Sequence, residues 1–180
     1  MKLQTLVLLF GIVVSAFSLS AQNAMASEQT GRVEKQVIHE LNMLPYVNAF
    51  DYLSFQVDAN HTVTLTGDVT DPVVKSDAEN AVKRIEGVEH VNNQIQVLHL
   101  SPIDDGLRVR LFRKIYGFPE FQKYALGNYK PIRIIVNDGR VTLMGVVDSQ
   151  TDKNLATLRA KSVPGSFSVD NQLRVLKAKA

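Results

Sequence analysis

Val63-Thr64-Leu65-Thr66-Gly67-Asp68-Val69 returns 78 residues later as Val141-Thr142-Leu143-Met144-Gly145-Val146-Val147. Self-similarity at a fixed offset indicates a duplicated structural unit. The same offset relates two further pairs, Gly87 with Gly165 and Asn93 with Asn171. We therefore predict two tandem copies, at residues 30–100 and 103–178, with only a short joint between them.

The apolar pattern predicts the order α-β-β-α-β within each copy. The leading helices carry apolar residues at helical spacing, namely Val33, Val37, Leu41 and Leu44 in the first copy and Leu107, Leu111 and Ile115 in the second. Two alternating strands follow, and Asn137-Asp138-Gly139 between them in the second copy is typical of a tight hairpin. Asp71-Pro72 and Ser149 begin the next helices, and a single final strand ends each copy. We expect an α+β fold in which helices cover one face of a small three-stranded sheet in each copy.

Four glycines occupy repeated positions. Gly67 and Gly145 stand alone inside strands, where a bulge or close backbone packing is favoured over a phosphate loop. Gly87 and Gly165 follow the second helix of each copy, where a left-handed turn is expected. Together with Asn93 and Asn171 they are predicted to be structural residues.

The first 26 residues have the features of a secretory signal peptide. Lys2 precedes an apolar run from Leu6 to Val14, and Ala24-Met25-Ala26 is a small-residue cleavage site. We predict cleavage after Ala26 and a periplasmic mature protein; an uncleaved membrane anchor is the alternative. The chain has no Cys, which suits an oxidising compartment and excludes disulfides and thiolate zinc sites.

The repeat resembles the BON domain, the bacterial osmotically inducible and nodulation module. The resemblance rests on the V-x-L-x-G strand of both copies and on Gly87-Val88-Glu89-His90-Val91-Asn92-Asn93, which is similar to the family's G-V-x-x-V-x-N signature. The second copy departs from the pattern at Ser166 and carries about four extra residues between Ala125 and Pro131. The resemblance implies binding to phospholipid surfaces or envelope components, without catalysis.

The charge is divided unequally between the two halves. Residues 27–101 hold five Lys and Arg against eleven Asp and Glu, whereas residues 102–180 hold fourteen against seven. The net charge is therefore −6 in the first half and +7 in the second, although the whole chain sums to only +2. Such an asymmetric chain is expected to recognise an anionic partner through its second copy. The acidic copy docking the basic copy of another molecule, head to tail, is an alternative use of the same charges.

Basic and aromatic residues alternate at the start of the second copy, a composition that suits the headgroup region of an anionic bilayer. The predicted lipid- or polyanion-binding residues are Arg108, Arg110, Arg113, Lys114, Phe118, Lys123, Tyr124, Lys130 and Arg133. The alternative is that the rings pack the core, which we favour for Phe112 and Phe121 individually, while the cations form an ordinary solvated surface.

Catalytic and metal-binding patterns are weak in this sequence. His39, His61, His90 and His99 form no H-x-x-x-H or H-E-x-x-H pair, and no Ser lies in a nucleophile elbow. We predict no metal, no cofactor and no nucleic-acid partner. The leading hypothesis is a non-enzymatic periplasmic binding protein that contacts anionic phospholipid or another envelope component, with a role in envelope stress protection. The alternative is a periplasmic protein-interaction or assembly factor without lipid binding, and a hydrolase of envelope material is the least favoured reading.

Overall fold

The computed structural model describes residues 28–127 and 129–176. The predicted signal peptide, residues 1–26, lies outside the described residues. The expected fold class, mixed α+β with a small sheet in each of two copies, is confirmed. The first copy consists of α1 (28–42), β1 (Tyr52–Val57), β2 (Thr62–Val69), α2 (Pro72–Lys83), β3 (His90–Asn93) and β4 (Gln96–Val97).

The second copy repeats this order with an insertion after its leading helix. Its elements are α3 (Pro102–Tyr116), a 3₁₀ turn (Pro119–Phe121), α4 (Gln122–Ala125), β5 (Ile132–Asn137), β6 (Arg140–Val147), α5 (Gln150–Lys161), β7 (Ser168–Asn171) and β8 (Arg174–Val175). The 3₁₀ turn and α4 occupy residues 119–125, so the added structure lies mostly before the stretch from Ala125 to Pro131 in which the sequence comparison places the extra residues.

The two sheets have the same topology. β1 runs antiparallel to β2, and β3 and β4 both run parallel to β2; β5 to β8 repeat the arrangement. The single final strand expected in each copy is divided in two, because an asparagine side chain replaces part of the ladder. Asn93 Oδ1 accepts from Ile95 N at 3.2 Å, and its Nδ2 donates to Lys75 O in α2 at 3.0 Å. Asn171 makes the equivalent bonds in the second copy.

The repeated strand glycines allow two strands to approach closely. Gly67 has φ +130° and Gly145 has φ +109°, in the region that favours glycine. A Cβ on Gly67 would lie 1.9 Å from Tyr52 O, and one on Gly145 would lie 2.0 Å from Pro131 O. Only glycine fits at either position without movement of the backbone.

Each sheet is covered on one face by its two longer helices. Of the residues predicted to face the core from the leading helices, six are buried: Val33, Val37, Leu41, Leu107, Leu111 and Ile115. Leu44 lies beyond the end of α1 and is only partly buried against the core of the first copy. Their side chains pack with the inward residues of the sheets, such as Leu65 and Leu143, in two separate apolar clusters. Burial of these apolar stripes is the main contribution that holds each helix on its sheet.

The loop before β1 reaches across to the second copy. We call residues 47–50 of this loop the strap. Ile134 N in β5 donates to Ala49 O of the strap at 2.8 Å. The Phe50 ring meets the Phe112 ring of α3 edge-on, with centroids 6.0 Å apart. The strap, although not itself a strand, therefore covers part of the outer edge of β5 with one backbone hydrogen bond and joins the two copies.

Within residues 28–127 and 129–176, no helix combines the length and the apolar character that crossing a bilayer requires.

Candidate functional site

The exposed basic side chains of α3 form the candidate site. Arg110, Arg113 and Lys114 are all exposed, and their spacing of three and four residues places them along one side of the helix. None of the three forms an ion pair with a carboxylate of the described residues. Arg110 makes one long contact, 3.5 Å from Nη2 to Pro164 O. Their charges are therefore available to an external anion.

Arg108, on the same helix, has a different role. Its side chain is only 3% exposed, and Nη2 donates to Val136 O of β5 at 2.6 Å. Its Nη1 is bonded to the Asp105 carboxylate within the helix. Arg108 is therefore removed from the predicted lipid-contacting set, because its guanidinium is buried and occupied inside the domain.

Arg133 is also buried, at 9% exposure. Its Nη1 donates to Asn48 O of the strap at 2.6 Å, and its guanidinium lies 4.6 Å from the centre of the Tyr129 ring. The side chain links the two copies, so Arg133 is also removed from the predicted lipid-contacting set.

Lys123 and Tyr124 belong to a polar network at the start of α5. Lys123 Nζ lies 2.9 Å from a carboxylate oxygen of both Asp148 and Asp152. The Tyr124 hydroxyl donates to Asp152 Oδ2 at 2.7 Å and accepts from Asp148 N at 2.7 Å. The network pairs the exposed Lys123 with two carboxylates and buries Tyr124, so Lys123 adds no unpaired charge and Tyr124 no exposed ring to the predicted surface.

The pKa values in this network follow from these bonds. Burial raises the pKa of Tyr124 to about 12. Hydrogen bonds to Asp152 and Asp148 raise the pKa of Lys123 above its usual range. Burial acts to raise the pKa of Asp152, but the hydrogen bonds that it accepts outweigh burial, so this pKa is lowered. All three groups keep their ordinary charge at neutral pH, as expected for a structural network.

The last two predicted residues lie near the ends of the inserted segment. Lys130 Nζ donates to Ala125 O at 2.7 Å and also to Gly127 O, so it closes the insertion as a loop. Phe118 is half-buried beneath the guanidinium of Arg159 in α5, 3.2 Å from its ring centre. Arg159 therefore adds a cation beside the end of α3, one that the sequence analysis did not select.

Comparison with known proteins agrees with this architecture. The model of the BON domain matches residues 29–99 and residues 121–177. The chain belongs to the BON domain family. The second match begins after α3, so the helix that carries the candidate site lies outside the part matched to the family.

A search of curated proteins finds osmotically-inducible protein Y of Escherichia coli (strain K12), 32% identical over 116 residues. The alignment covers 62% of this chain and 56% of that protein, so the chain matches little more than half of its relative's length. Among solved structures, CdsD, a structural protein of the type III secretion system of Chlamydia trachomatis, aligns at 13% identity with a TM-score of 0.30. That alignment covers 82% of this chain and 94% of CdsD. The C-terminal domain of CdsD gives a TM-score of 0.28 at 13% identity, over 79% and 96% of the two chains. These scores are too low to relate the overall folds.

The second BON domain also exposes apolar residues that sequence analysis did not single out. Phe167 is 80% exposed after the turn at Gly165, and the Arg140 guanidinium lies 5.7 Å from its ring centre. Leu158 on α5 is 65% exposed. The repeat could have indicated that Phe167 is exposed, because the equivalent residue of the first copy, 78 positions earlier, is the charged Glu89.

The histidines and acidic residues of the BON domains do not converge. In the part of the chain that the structure covers, no three His, Asp or Glu side chains are grouped so that they could hold a metal ion. His39, His90 and His99 are exposed, and His61 lies in the β1–β2 turn with a φ of +56°.

Proposed function

We propose that the protein is a non-enzymatic binding protein of the bacterial periplasm whose second BON domain contacts anionic phospholipid or another envelope polyanion. Membership of the BON family supports a binding module. The predicted signal peptide supports export. The name of the E. coli relative, osmotically-inducible protein Y, supports a role in envelope stress protection.

One observation carries the proposal, namely the exposed side of α3. Arg110, Arg113 and Lys114 lie on it without a carboxylate partner among the described residues. A Lys or Arg held close to an anionic membrane surface contributes about 1 kcal/mol. Three such side chains contribute about 3 kcal/mol together, which supports reversible binding that salt weakens.

Vesicle co-sedimentation with the full-length protein tests the proposal. We expect binding to phosphatidylglycerol vesicles at low salt, little binding to phosphatidylcholine vesicles, and release at about 1 M salt, where the Debye length falls to about 3 Å. The triple variant Arg110→Glu, Arg113→Glu and Lys114→Glu is expected to weaken binding by at least about 100-fold, because attraction becomes repulsion.

The first BON domain provides the matched control. Arg32→Glu with Lys35→Glu reverses two exposed charges on α1, the equivalent helix, and is expected to leave vesicle binding within about twofold. Equal binding to both vesicle types at low salt, or a triple variant that binds like the natural protein, contradicts the proposal.

A further inference from the structure

The outer edge of β5 is closed by side chains and by the strap. In β5, the backbone groups of alternate residues point away from β6. Ile132 N donates to the Tyr116 hydroxyl at 2.9 Å, and that hydroxyl donates to Ile132 O at 2.7 Å. Ile134 N donates to Ala49 O of the strap at 2.8 Å. Val136 O accepts from the buried Arg108. The edge therefore offers few unpaired groups to another chain.

In the first BON domain the equivalent edge strand is β1, and its outer edge is not covered by side chains or by another segment of the described chain. Leu53 pairs with Gly67 as Ile132 pairs with Gly145, so the register is identical and the same alternate residues point outward. These residues are Leu53, Phe55 and Val57. No hydrogen bond from beyond the sheet reaches their backbone groups within residues 28–127 and 129–176.

The difference comes from one row of side chains on the leading helix. Next to its buried row, α3 carries Arg108, Phe112 and Tyr116. Arg108 and Tyr116 bond the edge of β5, and Phe112 packs on Phe50 of the strap. The corresponding row of α1 carries Glu34, Ile38 and Asn42. All three are exposed, with Ile38 at 49%. Glu34 holds the position of Arg108 and is an anion, so it cannot donate to a strand carbonyl as Arg108 does. Ile38 holds the position of Phe112 and has no polar group.

We propose that the open edge of β1 binds an extended segment of another polypeptide by strand addition. The chain shows that the equivalent edge accepts backbone bonds from outside the sheet, since Ala49 O of the strap accepts from Ile134 N of β5. Main-chain hydrogen bonds to Phe55 and its outward neighbours supply the affinity, and alternate side chains supply the selectivity.

The row on α1 defines the chemistry of that segment. An aliphatic or aromatic side chain would pack on Ile38, which is large, apolar and half exposed. A basic side chain would face Glu34, which has no ion pair among the described residues. The net charge of −6 on this half of the chain favours a cationic partner over an acidic one.

The strap sequence supplies the probe for the test. A synthetic peptide Pro-Tyr-Val-Asn-Ala-Phe, copied from residues 45–50 and extended by two lysines, is titrated into the ¹⁵N-labelled full-length protein. We expect the largest shifts at the amides of Leu53, Phe55 and Val57, with the amides of β5 unchanged.

Two matched pairs of variants separate strand addition from other binding. Phe55→Pro removes the outward N–H without removing a bond to β2, and Phe55→Ala removes the same ring but keeps the N–H. We expect Phe55→Pro to weaken peptide binding about fivefold relative to Phe55→Ala, the equivalent of one lost hydrogen bond. Ile38→Lys is expected to weaken binding about fivefold or more, whereas Ile103→Lys, at a more exposed isoleucine of α3, is expected to leave it unchanged.

The proposal is overturned if the peptide does not bind at millimolar concentration, if its shifts map to the second BON domain, or if Phe55→Pro binds as Phe55→Ala does. Shifts of the β1 amides that appear on raising the protein concentration without peptide also overturn it, because a second copy would then occupy the edge. Ile38→Lys keeps the test valid if both Phe55 variants unfold.

Discussion

The two BON domains use different side chains to bond the same backbone amide, the one that lies just before the second long helix of each domain. In the first domain, the fully buried Asp51 accepts from Thr70 N at 2.7 Å and from the Thr70 hydroxyl at 2.8 Å, just before α2. In the second, the Tyr124 hydroxyl accepts from Asp148 N at the equivalent place before α5. The duplicated scaffold requires an acceptor there but does not require a particular residue.

Other positions are identical in both domains because geometry leaves no alternative. Gly67 and Gly145 each lie beneath a carbonyl oxygen, and Asn93 and Asn171 each bond the preceding helix and the next strand segment. The comparison separates a fixed interior from surfaces that have diverged. The second domain is basic with a closed edge, and the first is acidic with an open one.

The largest expected effect is on the shared interior. Gly67→Ala and Gly145→Ala each place a Cβ about 2 Å from a backbone oxygen, at a positive φ. Each is expected to lower the free energy of unfolding by about 3 kcal/mol or more in urea denaturation. Gly31→Ala is the control, because a Cβ there meets nothing within 4 Å and a helix favours Ala. If either Gly→Ala variant is as stable as the natural protein, the glycine does not lie as close to the carbonyl oxygen of the neighbouring strand as the structure places it.

An effect that is at most as large, and unequal between the domains, is expected where their side chains differ. Asp51→Ala leaves the amides of Asn48 and Thr70 without their acceptor, and is expected to lower the unfolding free energy by about 3 kcal/mol. Tyr124→Phe is expected to lower it by only about 1–2 kcal/mol, because Lys123 still bridges Asp148 and Asp152. Urea denaturation of both variants, with the exposed Tyr129→Phe as the control, measures the difference. Equal losses contradict the roles assigned to the two acceptors.

The sequence was sufficient for the features that periodicity and repetition encode. The offset of 78 residues, the buried row of each leading helix and the Asp138-Gly139 turn, with φ of +51° and +72°, could all be read from the residues. The division of the final strands could not, since it depends on a side-chain amide that competes with the ladder.

The candidate site was only partly predictable, because composition does not distinguish solvated cations from cations used inside the protein. Arg108 and Arg113 lie on the same basic helix, yet Arg108 is buried against β5 and Arg113 is exposed. Arg133 bonds a strap that is distant in the chain, and no local pattern indicates that contact. The cations of α3 that remain exposed are those on the side of the helix that faces away from the sheet.

Amide hydrogen exchange of the free full-length protein tests the contrast between the two edges most directly. The amides of Ile132 and Ile134 donate to Tyr116 and Ala49, whereas those of Leu53 and Phe55 have no acceptor among the described residues. We expect exchange about fivefold faster or more at Leu53 and Phe55, since one hydrogen bond is worth about 1 kcal/mol. The difference grows if opening the bond at Ile134 also requires the domain to separate from the strap. Equal protection of the two pairs, or stronger protection in β1, would contradict it.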